Sequence, residues 1–297
     1  MGPRTAAGPG ERTMSWGLQN RLARMIKPST GRSLMLAADH GYFMGPTHRL
    51  ENPRTTLEPL LPYCDAVAVT RGILRSSLPP TLEVPVILRV SGGVSILSSD
   101  LSNEDITTSL EDALRVNASA VALSVFVGAP HEHESLVHLS RLIDEAERYD
   151  MPVLAITAVG KELEKRDARY LALACRLCAE LGAHLVKTYY CEGFEKVVEG
   201  CPVPLVVAGG PKLETERDAL ELASQALAKG AIGIDMGRNI WQSDKPVAMI
   251  RALRAIIHGK ATVEQALEVF RKAAGPGPSS AVAARGSRTT PSARAPV

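Results

Sequence analysis

Short apolar runs alternate along this chain with stretches in which apolar residues recur every three or four positions. The runs fall at 33–38, 66–70, 84–90, 120–125, 153–157, 183–186, 203–208 and 231–234. Most are continuous in their apolarity, as parallel strands buried on both faces should be. Between them, Ile106, Leu110, Ala113 and Leu114 share one predicted helix face, and Leu136, Leu139, Ile143 and Ala146 share another. Leu171, Ala174, Cys175, Cys178 and Leu181 form a third stripe, stopped by Gly182, and Ala219, Leu220, Ala223, Ala226 and Leu227 a fourth, stopped by Gly230. Val247, Ile250 and Ile257 mark a helix after the eighth run, and Thr262-Val263-Glu264-Gln265 opens another with a capping-box pattern. The spacer between the second and third runs is short for a full helix. Eight β/α alternations predict a (β/α)8 TIM barrel, with a doubly wound sheet as the fallback.

The barrel is expected as a single domain over residues 15–273. Residues 1–14 are Gly/Pro-rich, and residues 274–297 are Pro/Ser/Ala/Arg-rich without an acid, so both are expected to be flexible, disordered tails. The length of 297 residues suits one α/β barrel of about 250 residues. A net charge of +2 suggests neither a nucleic-acid surface nor a membrane-binding face. No apolar run is long enough to cross a bilayer, and the first residues lack the apolar core of a signal peptide. The five scattered cysteines then read as reduced thiols of a cytoplasmic protein. Cys175 and Cys178 form a C-x-x-C inside a helical stripe and read as small core residues. His131-Glu132-His133 lacks the spacing of a helical zinc motif and reads as a solvated helix start, so no metal is expected.

The run at 183–186 ends on Lys187. Lysines are rarely fully buried without a partner. One reading is a snorkelling or salt-bridged side chain. The other is an amine kept neutral by its pocket so that it attacks a carbonyl and forms a Schiff base. Bringing a lysine from its ordinary pKa near 10.4 to about 7 takes about 4 kcal/mol of bias against the charged form.

In a barrel the active site lies where the strands end. Those ends carry Asp39-His40-Gly41, Thr70-Arg71-Gly72, Ser91-Gly92-Gly93, Thr157, Lys187-Thr188-Tyr189, Gly209-Gly210 and Asp235-Met236-Gly237-Arg238-Asn239. One rim therefore gathers acids, an imidazole, an amine, arginines and glycines, and the collection points to catalysis. Gly209, Gly210 and Gly237 follow the seventh and eighth runs, where barrel loops commonly give backbone N–H groups to a phosphate. Arg238 is placed to add a charge-assisted contact.

The segment Leu36-Ala37-Ala38-Asp39-His40-Gly41-Tyr42-Phe43-Met44-Gly45-Pro46 resembles the first strand and loop of the class I aldolase family that includes archaeal fructose-bisphosphate aldolases. Thr70-Arg71-Gly72-Ile73-Leu74-Arg75-Ser76, Val186-Lys187-Thr188-Tyr189-Tyr190, Gly200-Cys201-Pro202-Val203-Pro204 and Asp235-Met236-Gly237-Arg238-Asn239-Ile240 narrow the likeness to a thiolase branch of it. The similarity runs from about Trp16 to Phe270. It implies a cytoplasmic homo-oligomeric barrel that cleaves a phosphorylated ketone with coenzyme A as co-substrate, giving acetyl-coenzyme A and dihydroxyacetone phosphate. No bound cofactor, nucleic acid or membrane is implied. Lys187 stands at the family's Schiff-base position, and Asp39 and His40 at its acid/base positions. Arg71, Thr157, Gly209, Gly210, Gly237 and Arg238 are the expected substrate and phosphate contacts. Where the aldolase branch has a tyrosine acid/base after the fifth strand, this chain has Ala158, and the thiolase branch also has a small residue there. Ser91-Gly92-Gly93-Val94 departs slightly from the thiolase pattern. A class I fructose-bisphosphate aldolase, or a related dihydroxyacetone-phosphate aldolase, is the alternative, because both reactions use the same lysine.

Overall fold

The computed structural model of the chain describes residues 14–159 and 167–275. The expected tails lie outside the described residues, apart from Met14, Ala274 and Gly275. The last helix, Val263–Ala274, carries folded chain one residue past the expected limit.

Ten strands occur among the described residues: β1 (Ser33–Ala37), β2 (Ala66–Thr70), β3 (Val86–Arg89), β4 (Ser91–Gly92), β5 (Asp105–Ile106), β6 (Ala120–Val125), β7 (Val153–Thr157), β8 (Leu185–Tyr189), β9 (Leu205–Ala208) and β10 (Gly233–Met236). Eight of them close a parallel barrel in the order β1-β10-β9-β8-β7-β6-β3-β2. β4 and β5 pair separately as an antiparallel ribbon. Continuous apolarity follows from burial on both faces. Leu34 and Leu36 face the surrounding helices, whereas Met35 joins Ala66, Ala68, Ile87, Ala120, Ala122, Leu154, Leu185 and Val206 inside the barrel. The helix Trp16–Met25 reaches the lower end of this interior, where Met25 packs against it, 1% exposed.

Two expectations are corrected. Ile106 does not share a helix face with Leu110: it lies in β5, and the helix starts after Ser109, whose side chain accepts from the Asp112 N–H. A side chain three residues ahead of a cap has a helical spacing but no helical backbone. The sixth run also extends further than its apolar residues suggest. β8 includes Lys187, Thr188 and Tyr189, so Lys187 sits mid-strand rather than at its end. Its pairing with Val206 and Ile156 continues the ladder regardless of side-chain polarity, because backbone groups form it. The other stripes behave as read. The helices Glu132–Glu147, Ala168–Glu180 and Glu216–Ala228 carry them, with Leu136, Leu181 and Leu227 half-buried at their edges and Leu181 just past its helix, and Thr262 and Gln265 form the capping box. The short second spacer holds a helix of seven residues, Arg71–Ser77.

Candidate active site

Side chains alternate along a strand, so the residue two after each interior apolar position also points inward, one layer higher. That rule takes Leu185 to Lys187, Ile87 to Arg89, Ala122 to Ser124, Leu154 to Ile156 and Met35 to Ala37. Gly233 on β10 leads to Asp235. One more step gives Asp39, Ala158, Tyr189 and Gly237. All of these line one cavity of about 150 Å³ at the strands' C-terminal end. The barrel is packed with hydrocarbon below and with charge above.

Lys187 lies at the centre of this upper layer. Its Nζ is 2.8 Å from Asp235 Oδ2, and their side chains are 11% and 0% exposed. Among the described residues, no hydrogen-bond donor of good geometry reaches either Asp235 oxygen, so the ion pair is that carboxylate's only direct partnership. Burial disfavours the charged amine, yet Asp235 and Asp39 outweigh it and hold the Lys187 pKa above its ordinary value. Burial likewise raises the Asp235 pKa, with Lys187 offsetting it only in part. The resting lysine is therefore an ammonium, not the neutral amine that is one of the two sequence readings. Two carboxylates on the same rim reverse what desolvation alone would do. Asp235, a carboxyl made more basic by its burial, is the nearest acceptor for a proton leaving the Lys187 ammonium.

Asp39 and His40 follow β1. Burial works to raise the Asp39 pKa, but the charges of Lys187, Arg89 and His40 prevail, and the carboxyl is held below its ordinary range. His40 is pushed down to about 4, first by burial and then by Lys187, Arg238 and Arg89, against the opposing pull of Asp39. Its Nδ1 is buried without a hydrogen bond, 3.9 Å from Asp39 Oδ1, and its ring meets Trp241 edge-on at 5.7 Å. The imidazole is neutral at pH 7 and free to accept a proton.

A second buried cluster braces Asp39. The Arg89 guanidinium donates to Asp39 Oδ2 (3.3 Å), Glu104 Oε2 (2.9 Å), Ser124 Oγ (2.5 Å) and the Tyr42 hydroxyl (2.6 Å). Tyr42 in turn donates to Glu104 Oε1 at 2.5 Å, and Ser91 Oγ to Glu104 Oε2 at 2.7 Å. Glu104 enters the barrel because the β4–β5 ribbon folds the chain back over β3. Arg89, Glu104 and Tyr42 are absent from the expected rim, and Asp235 stands in one of its segments without an expected role. Counting two residues beyond each interior apolar position finds Arg89 and Asp235. Glu104 and Tyr42 lie on excursions beyond the strands, where period-two reasoning gives no orientation.

Gly209, Gly210, Gly237 and Arg238 converge on one end of the cavity. A Cβ on Gly237 would lie 2.3 Å from the Ala37 carbonyl and 2.8 Å from His40, so only glycine lets the β10 turn pass this close to β1. Asn239 ties the two loops together: its amide donates to Gly209 O (2.8 Å) and Pro211 O (3.1 Å), and its oxygen accepts from Leu213 N–H (2.7 Å). Thr157 touches the cavity, but its hydroxyl is committed to Thr188 Oγ1 at 2.9 Å within the wall. Its neighbours Ile156 and Ala158 take the inward positions. Arg71 stands apart from the lysine cavity, bonded to Asp112 at 2.7 Å beside a second cavity. His131 pairs with Asp100 at 2.9 Å. Cys175 and Cys178 are buried in their helix, and burial pushes the Cys175 thiol up to about 12.

A closed parallel barrel with one buried lysine among carboxylates at its C-terminal mouth is the architecture of Schiff-base-forming aldolase-type enzymes. The chain belongs to the DeoC/LacD aldolase family, which it matches over residues 33–243. It is 52% identical over 262 residues to the 3-hydroxy-5-phosphonooxypentane-2,4-dione thiolase of Yersinia pseudotuberculosis (strain IP 31758), covering 88% of this chain and 89% of that one. The thiolase of the same name from Photorhabdus laumondii is 50% identical, over 86% of this chain and 88% of its own length. An uncharacterized aldolase of Pasteurella multocida is 51% identical, over 88% of this chain and 89% of that one. Among solved structures, an archaeal fructose 1,6-bisphosphate aldolase superposes with a TM-score of 0.73 at 30% identity, over 82% of this chain and 99% of that one. An archaeal aldolase whose catalytic lysine is bound to a carbinolamine intermediate also gives 0.73, at 28% identity, over 81% of this chain and 99% of that one.

Proposed function

We propose that this chain is a coenzyme A-dependent acyltransferase that cleaves 3-hydroxy-5-phosphonooxypentane-2,4-dione to acetyl-coenzyme A and dihydroxyacetone phosphate. The observation that carries the reading is Lys187, in contact with Asp235 at the centre of a polar layer that Asp39, His40 and Arg89 complete. The thiolase relatives, matched at about half identity along nearly their full length, favour this substrate over a sugar bisphosphate. Ala158 favours it too. It occupies the inward position after β7 with a side chain that exchanges no proton and leaves volume for a thiol.

In this reading Asp235 takes a proton from the Lys187 ammonium. The free amine adds to the ketone beside the phosphorylated carbon, and loss of water gives an iminium. His40, with Asp39 beside it, receives the thiol proton, and the thiolate adds to the acetyl carbonyl. Collapse of that adduct breaks the carbon–carbon bond. The acetyl group leaves on sulfur, and the bonding pair becomes the enamine on Lys187. Protonation of the enamine carbon and hydrolysis return the lysine and release dihydroxyacetone phosphate. Gly209, Gly210, Gly237 and Arg238 hold the phosphate, and the subunit works in the cytoplasm as part of a homo-oligomer. Incubating the protein with the phosphorylated dione, with and without coenzyme A, tests the reading. Acetyl-coenzyme A should form in step with dihydroxyacetone phosphate. Cleavage indifferent to coenzyme A, together with efficient cleavage of fructose 1,6-bisphosphate, would assign an aldolase instead.

A further inference from the structure

The barrel mouth carries a second cavity, of about 500 Å³, beside the ends of β2 and β3. Gly72, Gly92 and Gly93 contribute to its lining, and Gly93 has φ +117°. A Cβ on Gly72 or Gly93 would meet nothing within 4 Å, so main chain is approachable there. Tyr42 and Arg89 line both this cavity and the lysine cavity, so the two abut on that pair. Arg71 lines this cavity too, and it is one of three guanidinium groups that share one carboxylate. Asp112 accepts from Arg71 at 2.7 Å, from Arg75 at 2.8 Å and from Arg115 Nε at 3.0 Å. The cluster carries an excess of positive charge, and its arginine side chains are 40%, 46% and 72% exposed. Glu51 is the carboxylate lining the cavity itself. Exposed arginines gathered on too few carboxylates offer forked donors to phosphate oxygens.

We propose that the Arg71, Arg75 and Arg115 cluster, with the glycine-lined cavity beside it, seats the phosphorylated nucleotide end of the acyl acceptor. The thiol arm then passes over Tyr42 and Arg89 into the lysine cavity. The inference rests on the coenzyme A-dependent reading, which calls for an acceptor bearing a 3′-phosphate and a 5′-diphosphate. It also gives Arg71 a phosphate role away from the substrate phosphate.

Calorimetric titration of the full chain with adenosine 3′,5′-bisphosphate tests it without turnover. The bisphosphate should bind, more weakly as salt rises, because exposed charges are screened. Equimolar inorganic phosphate should not displace it. The double variant Arg75→Gln/Arg115→Gln should lose about tenfold in affinity, about 1.4 kcal/mol, while borohydride trapping of dihydroxyacetone phosphate on Lys187 stays at the wild-type level. In turnover, KM for coenzyme A should rise with little change in kcat, and KM for pantetheine should not move. Absence of bisphosphate binding, equal affinity in the wild type and the double variant, or displacement by phosphate alone would overturn the inference. So would unchanged affinity with altered sedimentation, which would assign the cluster to a contact between copies. Arginine-dependent bisphosphate binding in a protein that shows no thiol-dependent cleavage would keep the nucleotide site and sink the thiolase reading.

Discussion

Replacing Asp235 with asparagine removes the ion-pair partner of the Lys187 ammonium, keeps the volume, and leaves Asp39 in place. At 2.8 Å and an effective dielectric of about 20, the pair attraction is about 6 kcal/mol. The variant does not lose all of that, because the lysine escapes by giving up its proton. Folding a lysine in its neutral form at pH 7 costs about 4–5 kcal/mol, from its ordinary pKa near 10.4. Relief of the buried Asp235 carboxylate offsets part of this, so the expected loss is about 3 kcal/mol, or roughly 6–12 °C in melting temperature for a domain of this size. The pH dependence separates this cause from a packing defect. In the wild type the folded-state lysine pKa is raised, so its stabilisation is present below about 10.4 and is lost as pH rises through the folded value. In the variant the folded pKa is depressed, so the penalty is full at and below that folded pKa and fades as pH rises towards about 10.4. Chemical denaturation at pH 7 and at pH 10 measures both limbs. Borohydride trapping with dihydroxyacetone phosphate should show imine formation moved to lower pH. An Asp235→Asn variant as stable as wild type at pH 7, with an unmoved trapping profile, would refute the electrostatic account.

Borohydride reduction in the presence of dihydroxyacetone phosphate should place the added mass on the peptide containing Lys187, and Lys187→Met should abolish it; a label elsewhere ends the Schiff-base assignment. The His40 imidazole should titrate near 4 by NMR. Because its folded pKa lies below its ordinary 6.5, its contribution destabilises the fold only as pH falls from about 6.5 towards about 4, and a midpoint at 6.5 would contradict the burial argument. Ala158→Tyr should cut acyl transfer to coenzyme A by at least about a hundredfold, about 2.7 kcal/mol of barrier, while Lys187 still forms its imine. Retained acyl transfer in that variant would remove Ala158 from the argument.

Much of the fold is legible in the sequence, because strands buried on both faces write their apolarity continuously and the surrounding helices write theirs every third or fourth residue. The strand limits at 66–70, 120–125 and 153–157 are readable outright. β8 is not, since Lys187, Thr188 and Tyr189 look like an ending while their backbone continues the ladder. The site is legible as a rim but not as a set of contacts. Lys187, Asp39, His40, Gly209, Gly210, Gly237 and Arg238 come together at one mouth. Thr157 and Arg71 look equivalent to them in sequence. Thr157 is one residue out of phase with the interior, and Arg71 lies past the end of its strand, so each is drawn to other partners. Glu104 has no signature at all, since a two-residue ribbon brings it to Arg89.

The charges of the chamber explain why a lysine held as an ammonium is compatible with attack on a carbonyl. Among the described residues, Lys187, Arg89 and Arg238 stand against Asp39, Asp235 and Glu104, so positive and negative groups balance. Replacing the ammonium with an iminium conserves that balance, because the nitrogen stays positive and keeps Asp235 as its counter-ion. The field that makes the free amine costly therefore stabilises the intermediate it leads to, and the cost falls only on the brief neutral state. Asp235 shortens that state further: it lies at hydrogen-bonding distance, and its burial lets it hold the departing proton. In the proposed reaction, a phosphate held against Arg238 would neutralise one of the cations that depress His40. The imidazole would then be a stronger base in the complex where the proposed reaction asks it to take a proton from a thiol. On the proposed reading, substrate binding would tune the acid–base pair through charge.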